Sequence, residues 1–343
     1  MTAIPNVDAI ARDATWLPHR YDPGHDSVHF VKVTREAHRA ATFLTDDHLP
    51  TSSEPVVVRR AEAIAEASPP APLHFIFHSA FCGSTLLARA FDIEGVAMGL
   101  KEPVILNDLV GWRQRGGERA QIARALDHSL ALLSRPFAAG EVVIVKPSNV
   151  VNGLIPAMMA MRPAAKALLL YAPLRVYLRS IAKKGMWGRL WVRDLLVKLA
   201  KEGLVGFDFT TEDYLRQTDL QAAAIGWLAQ HALFLRLVEK FGPDRVRMLD
   251  SEMLMARREE SLGALVRHYG LPLDTKDMEA ILNGPAFTRH SKTGGAFDVE
   301  GRAAEHREAE AAHREEVDKV AIWAEAIAKQ AGLPLEPAAP LLP

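Results

Sequence analysis

Short apolar runs alternate with stretches of helical spacing from Pro72 to about Phe297. Leu73, Phe75, Ile76 and Phe77 form a run of strand length, and so do Val142 to Lys146 and Ala167 to Tyr171. Continuous apolar runs of this length read as strands buried on both faces. Shorter strands are predicted at Gly95 to Met98 and at Arg245 to Leu249. Between them, Leu86, Leu87, Ala90 and Phe91 recur at helical spacing. Trp227 opens a predicted helix that reaches Lys240, and Glu260 to Tyr269 forms another, stopped by Gly270-Leu271-Pro272. This alternation predicts an α/β fold with a mostly parallel sheet of about five strands and helices on both faces. Right-handed crossovers bring the connecting loops to one edge of such a sheet, where ligands sit.

The flanks read differently. Residues 1–71 show no strong period and end in an Ala/Glu/Pro stretch, Ala61 to Pro70, which predicts an N-terminal extension with a helical linker. Residues 72–300 form the expected main domain. Residues 301–343 read as a C-terminal helix, Glu305 to Lys329, and a Pro-rich tail expected to fray. Val317, Val320, Trp323 and Ile327 give that helix one packing face, suited to capping the domain or to a homodimer. Within the main domain, Trp187, Trp191 and Leu195 stand at i, i+4 and i+8, as on an amphipathic helix.

Composition narrows the function classes. With 343 residues, 49% apolar and 24% charged, the chain suits one large α/β domain or two small ones. A net charge of −1 offers no general basic field for nucleic acid. No basic segment leads into an apolar core at the start, and no apolar run approaches bilayer length, so neither a secretory leader nor a membrane span is expected. The single cysteine, Cys82, excludes an internal disulfide and suits a reducing, cytoplasmic setting. No cluster has metal-ligand spacing. His19, His25 and His29 lie in a polar stretch and read as solvated or core histidines.

The candidate chemistry begins at Leu73 to Asp92, LHFIFHSAFCGSTLLARAFD. A strand runs into a turn of small residues and then into a helix. Such a turn presents backbone N–H groups to an anion, and a helix start favours the same charge. Ser79, Ala80, Phe81, Cys82, Gly83, Ser84 and Thr85 make up the candidate cradle. It is not a Walker A loop, because Ser84 replaces the phosphate-binding lysine and His78 the first glycine. It is not a phosphatase loop either, since Arg89 lies one residue too far from Cys82. A tight structural turn with no ligand is the plainer reading.

The turn resembles the 5′-phosphosulfate loop of the sulfotransferase family, in which proline and a lysine or arginine precede serine, glycine and two hydroxyl residues. Cys82-Gly83-Ser84-Thr85 falls on the last four positions, and Phe81 replaces the basic residue. Further similarities follow in family order. Gly99-Leu100-Lys101-Glu102-Pro103 is similar to the segment with the acceptor-activating glutamate in tyrosylprotein sulfotransferases. Lys146-Pro147 is similar to the family's lysine beside the sulfate. Ala167 to Ser180 resembles the 3′-phosphate segment, with Pro173 aligned, Tyr171 on the arginine position, and Arg179 on the serine position one place before Ser180. Arg245 to Pro272 resembles the family's strand-and-helix ending. Arg289-His290-Ser291-Lys292 sits where members carry a late basic loop. The layout is closest to tyrosylprotein-type and bacterial members.

The resemblance implies a P-loop, nucleotide-kinase-like three-layer fold and 3′-phosphoadenosine 5′-phosphosulfate as co-substrate, with no metal. It implies Glu102 as general base and Lys146 as the cation on the transferring group. Ser79 to Thr85 would hold the 5′-phosphate, and Arg179, Ser180, Arg289, Ser291 and Lys292 the 3′-phosphate. The segment from Lys183 to Tyr214, with its clustered Trp and Arg, would close over a small-molecule, glycan or peptide acceptor. Two alternatives stay open: an ATP-dependent P-loop kinase, and a non-catalytic binding protein of the same fold.

Overall fold

The structure, a computed structural model, describes residues 6–49, 54–288 and 299–343, the side chains of 299–312 excepted. Helix α1 (Val7–Arg12) starts at Asn6, whose side chain accepts from the Ala9 N–H. Strands β1 (Trp16–Asp22), β2 (Ser27–Lys32) and β3 (Val56–Arg59) form an antiparallel sheet in that order, with α2 (Arg35–Ala40) after β2 and α3 (Arg60–Glu66) after β3. The stretch without a clear sequence period is therefore a folded sheet. Its alternation is hidden because β1 carries Pro18, His19 and Arg20, where the register shifts. His19 is buried and reaches Asp46 at 2.6 Å.

The main sheet contains β4 (Leu73–His78), β5 (Ala97–Lys101), β6 (Val142–Lys146), β7 (Ala167–Tyr171) and β8 (Val246–Asp250), in the order β5-β6-β4-β7-β8. These are the five expected strands. β5 and β4 both pair with β6 in parallel. Every residue of β4, β5 and β7 is buried, the polar His74, His78 and Lys101 among them, as in strands covered on both faces. Strand order reverses at β4, and open α/β sheets bind ligands beyond the carboxyl ends of strands at such a point. The loop Ser79 to Thr85 leaves that end of β4.

Backbone contacts cluster the chain into two compact units. The first holds residues 1–76, 85–167 and 269–272; the second holds 77–84, 168–268 and 273–343. The first unit includes most of α4 (Ser84–Ala90), then α5 (Ile105–Gln114), α6 (Arg119–Leu133) and α7 (Ile155–Met161). Its buried charges are matched. Arg135 is buried and donates to the carbonyls of Ile10 at 2.8 Å, Ala11 at 2.9 Å and Trp16 at 2.7 Å. Glu141 is buried against Arg35 and accepts from the Gly95 N–H at 2.8 Å.

The second unit is mainly helical: α8 (Leu174–Lys183), α9 (Gly185–Lys201), α10 (Thr211–Arg216), α11 (Asp219–Phe241), α12 (Ser251–Ala256), α13 (Arg258–Tyr269), α14 (Thr275–Leu282), α15 (Pro285–Thr288) and α16 (Val299–Gln330). Tyr269 at the end of α13 falls in the first unit. α11 begins eight residues before Trp227 because Thr218 and Gln221 form a reciprocal capping box. α8 packs against α9 and α16, and α11 against α9 and α16. The Pro-rich tail is not frayed: the Leu341 N–H donates to Met248 O at 2.7 Å, and the Met248 N–H to Ala339 O at 3.1 Å. No helix among the described residues is long and apolar enough to cross a membrane.

Candidate functional site

The loop after β4 has an unusual backbone. Ala80, Phe81 and Gly83 all have positive φ, at 74°, 52° and 81°. Only glycine adopts this region without penalty, so Ala80 and Phe81 store about 1–2 kcal/mol each. Successive turns of this kind point N–H groups into a concavity and make anion-binding nests. The loop is pinned from both sides. Ser79 N–H donates to Leu170 O at 3.1 Å, and Ala80 N–H to His78 Nδ1 at 3.0 Å. The Cys82 thiol donates to Leu170 O at 3.4 Å.

Two groups in the loop lack protein partners among the described residues. Ser79 Oγ is buried with no hydrogen-bond partner, and the Gly83 N–H has no acceptor. A Cβ built on Gly83 meets only Leu254 Cδ2, at 3.9 Å, so the space over this glycine is open. Buried polar atoms are normally satisfied. An orphaned hydroxyl and an unused N–H in the same open, left-handed turn fit an anion such as a phosphate group. The following helix, α4, has only seven residues, so the loop's own donors carry most of that fit.

Phe81, on the position where the resembling family has a cation, is packed into an aromatic cluster. Its ring stands edge-on to Tyr177 at 6.2 Å and to Trp191 at 5.4 Å. Tyr171, on the arginine position of the 3′-phosphate segment, is buried edge-on to Trp227 at 6.4 Å and His231 at 5.5 Å. Burial raises the Tyr171 hydroxyl above its ordinary range, with Asp250 and Glu336 adding to the effect. Arg179 and Ser180 lie together on α8, and the Ser180 hydroxyl donates to Val176 O at 2.9 Å. Arg289, Ser291 and Lys292 lie outside the described residues.

In the first unit, Lys146 and Glu102 meet. β5 and β6 run in register with Lys101 beside Lys146, and Glu102 follows β5 directly. The Lys146 ammonium, 1% exposed, forms an ion pair with the Glu102 carboxylate, whose side chain is 18% exposed. The Lys146 ammonium also lies 5.1 Å from the Phe43 ring centre. Glu102 has φ of 54°, and its N–H donates to Lys146 O at 2.7 Å. A carboxylate held against a buried ammonium by a strained backbone is an arrangement suited to proton transfer and charge stabilisation.

Lys101 was not singled out by its sequence pattern, yet it is as buried as Lys146. Its ammonium donates to the carbonyls of His38 at 2.7 Å and Arg39 at 3.0 Å, in the last turn of α2. Burial, with Arg89 adding to it, pushes its pKa down to about 7. The only sequence signal was a lysine ending a run of buried residues. An open cavity of about 450 Å³ also lies in the first unit, lined by Arg20, Tyr21, Asn107, Asp108, Gly111 and Arg115 among others. None of the sequence-predicted site residues that the structure describes is among those lining it. No group of three His, Cys, Asp or Glu side chains suited to a metal occurs among the described residues.

No family model and no curated protein matches this chain. Solved structures similar to it include sulfotransferase domains. The sulfotransferase domain from the curacin biosynthetic pathway is 14% identical, covering 78% of this chain and 99% of its own, with a TM-score of 0.43. The sulfotransferase domain of the Synechococcus olefin synthase is 14% identical over 69% of this chain and 84% of its own, at 0.42. A sulfotransferase from Mycobacterium tuberculosis is 13% identical over 71% of this chain and 78% of its own, at 0.41.

Proposed function

We propose that this protein is a sulfotransferase-like enzyme that moves a sulfuryl group from 3′-phosphoadenosine 5′-phosphosulfate to a hydroxyl or amine of a small-molecule, glycan or peptide acceptor. The carrying observation is the loop after β4, where Ser79 Oγ is buried without a partner among the described residues, next to a turn with three left-handed residues. In this reading Ser79, Ala80, Phe81, Cys82, Gly83, Ser84 and Thr85 bind the donor's 5′-phosphate, the side chain of Phe81 serving packing alone. Arg179 and Ser180, with Arg289, Ser291 and Lys292, bind the 3′-phosphate.

The donor supplies a sulfuryl group on a phosphate leaving group, so the S–O bond to phosphate breaks as a bond from sulfur to the acceptor oxygen or nitrogen forms, and 3′,5′-ADP leaves. Charge spreads over oxygens in such transfers, and catalysis rests on positioning and on cations. Lys146 is the proposed cation. Glu102 is the proposed base, taking the acceptor proton as the new bond forms. The reaction needs no metal.

The packing of Phe81 against Tyr177 and Trp191 favours a second reading, a binding protein of the same fold without turnover. One experiment separates the readings. Thermal shift with 3′,5′-ADP should stabilise the protein, by about 2.7 kcal/mol at a hundredfold excess over Kd. Stabilisation by ATP with magnesium alone would mark a kinase, and no response to either nucleotide would sink donor binding altogether. A screen of acceptors with labelled sulfate then tells enzyme from binding protein.

A further inference from the structure

We propose that the outer face of α9 docks on an anionic phospholipid surface. This proposal is independent of the sulfuryl-transfer reading. Of the large apolar side chains more than half exposed among the described residues, Met186, Trp187, Leu190 and Val197 lie on α9, and only Val57, Leu215 and Ile322 lie elsewhere. Met186, Leu190 and Val197 stand at i, i+4 and i+11, so they form one stripe along the helix. Trp187 flanks the stripe, stacked on Trp191 at 6.2 Å and 11°. The opposite face, Val192, Leu195 and Leu199, is buried.

Charge sets the kind of surface that would cover this stripe. Residues 174–201 carry eight basic side chains and one acidic, Asp194, a net of +7 in a chain whose total is −1. The arginines are largely engaged within the fold. Arg189 pairs with Glu316 at 3.0 Å, Arg193 with Asp219 at 2.5 Å, and Arg175 with Glu325. Lys184, Lys198 and Lys201 are exposed and have no such partner among the described residues. Protein interfaces favour arginine and disfavour lysine. Lysines with a Trp, Met and Leu stripe instead suit the headgroup region, where amine heads reach lipid phosphates while apolar groups sink below them. Nucleic acid is disfavoured because the centre of the face is apolar rather than charged.

The test is co-sedimentation of the full chain with vesicles of phosphatidylcholine alone or with one-third phosphatidylglycerol. Binding is expected only to the anionic vesicles and should weaken as salt rises. The triple variant Lys184→Glu, Lys198→Glu and Lys201→Glu should lower partitioning by about a hundredfold. Trp187→Ala with Leu190→Ala should lower it by about tenfold or more. All five side chains are exposed, so each variant should keep the wild-type circular dichroism and melting temperature. Failure to sediment with anionic vesicles, wild-type partitioning of the triple variant, or equal binding to a DNA duplex would each overturn the proposal.

Discussion

Lys146 and Glu102 are joined twice, once by their side chains and once by backbone. The ammonium of Lys146 pairs with the Glu102 carboxylate, while the Glu102 N–H donates to the carbonyl of Lys146 at 2.7 Å. The backbone bond holds Glu102 in its left-handed conformation at the end of β5, and the ion pair neutralises a cation that has almost no contact with water. A substitution at either residue therefore acts on both.

The pair should be asymmetric in stability. Glu102→Ala leaves the buried Lys146 ammonium uncompensated and is expected to cost about 3 kcal/mol or more. Lys146→Met should cost less, because the Glu102 carboxylate reaches solvent. Combining the two should recover part of the loss. Urea unfolding of the four proteins measures the cycle, and equal costs for both single variants would contradict the burial difference.

If Glu102 is the base, Glu102→Gln should reduce turnover by about a hundredfold or more and leave 3′,5′-ADP affinity within about twofold. The amide keeps an oxygen that accepts from Lys146, so the ammonium stays satisfied. Turnover is read with an acceptor found by screening, and affinity by calorimetry. Unchanged turnover would remove Glu102 from the mechanism, and joint collapse of affinity and melting temperature would make its role structural.

Gly83 tests the loop. Its φ of 81° disfavours any side chain, and the open space above it is the space proposed for phosphate. Gly83→Ala should cost about 1 kcal/mol of stability. Gly83→Val should in addition abolish 3′,5′-ADP binding while the protein still folds. Wild-type affinity in the valine variant, measured by calorimetry, would show that no phosphate sits there.

The five strands of the main sheet were legible because apolar residues dominate each, from the unbroken run of β7 to β8, where Arg247 stands between Val246 and Met248, and because polar or turn residues bound them. The N-terminal sheet was not, because buried His19 and the register shift at Pro18 and Arg20 break the two-residue period. Gly83 announced its turn, since glycine at a strand-to-helix junction is a recognised signal. Ala80, Phe81 and Glu102 did not, because a left-handed backbone at a residue with a side chain leaves no mark in composition. Lys101 escaped notice because lysine is rarely buried. Its burial depends on carbonyls of α2, more than sixty residues earlier in the chain.

Arg135 should be a keystone of the first unit. Its guanidinium donates to carbonyls at the end of α1 and at Trp16, from a buried position. Arg135→Ala is expected to cost about 3 to 5 kcal/mol. Arg135→Lys should restore only a fraction, because one ammonium cannot span the same set of acceptors. Urea unfolding gives both values, and a loss below about 1 kcal/mol in the alanine variant would mean that water replaces the guanidinium.

His38 should make stability depend on mild acid. The ring is 1% exposed, neither nitrogen has a hydrogen-bond partner among the described residues, and Phe137 stands edge-on to it at 5.6 Å. Burial, reinforced by the nearby charges of Lys101 and Arg35, pushes its pKa from 6.5 to about 3. Below pH 6.5 the unfolded chain takes up a proton that the folded chain refuses until about pH 3. Stability is therefore lost as pH falls through that window, and the contribution of His38 is flat above it. Between pH 7 and pH 5 the loss should be about 2 kcal/mol. His231, lowered to about 4 mainly by burial, adds a loss of the same sign. His38→Leu should keep the fold and remove only the His38 part of the slope. Urea midpoints at pH 7, 6 and 5 for both proteins decide it, and parallel slopes would mean that His38 is protonated in the folded state.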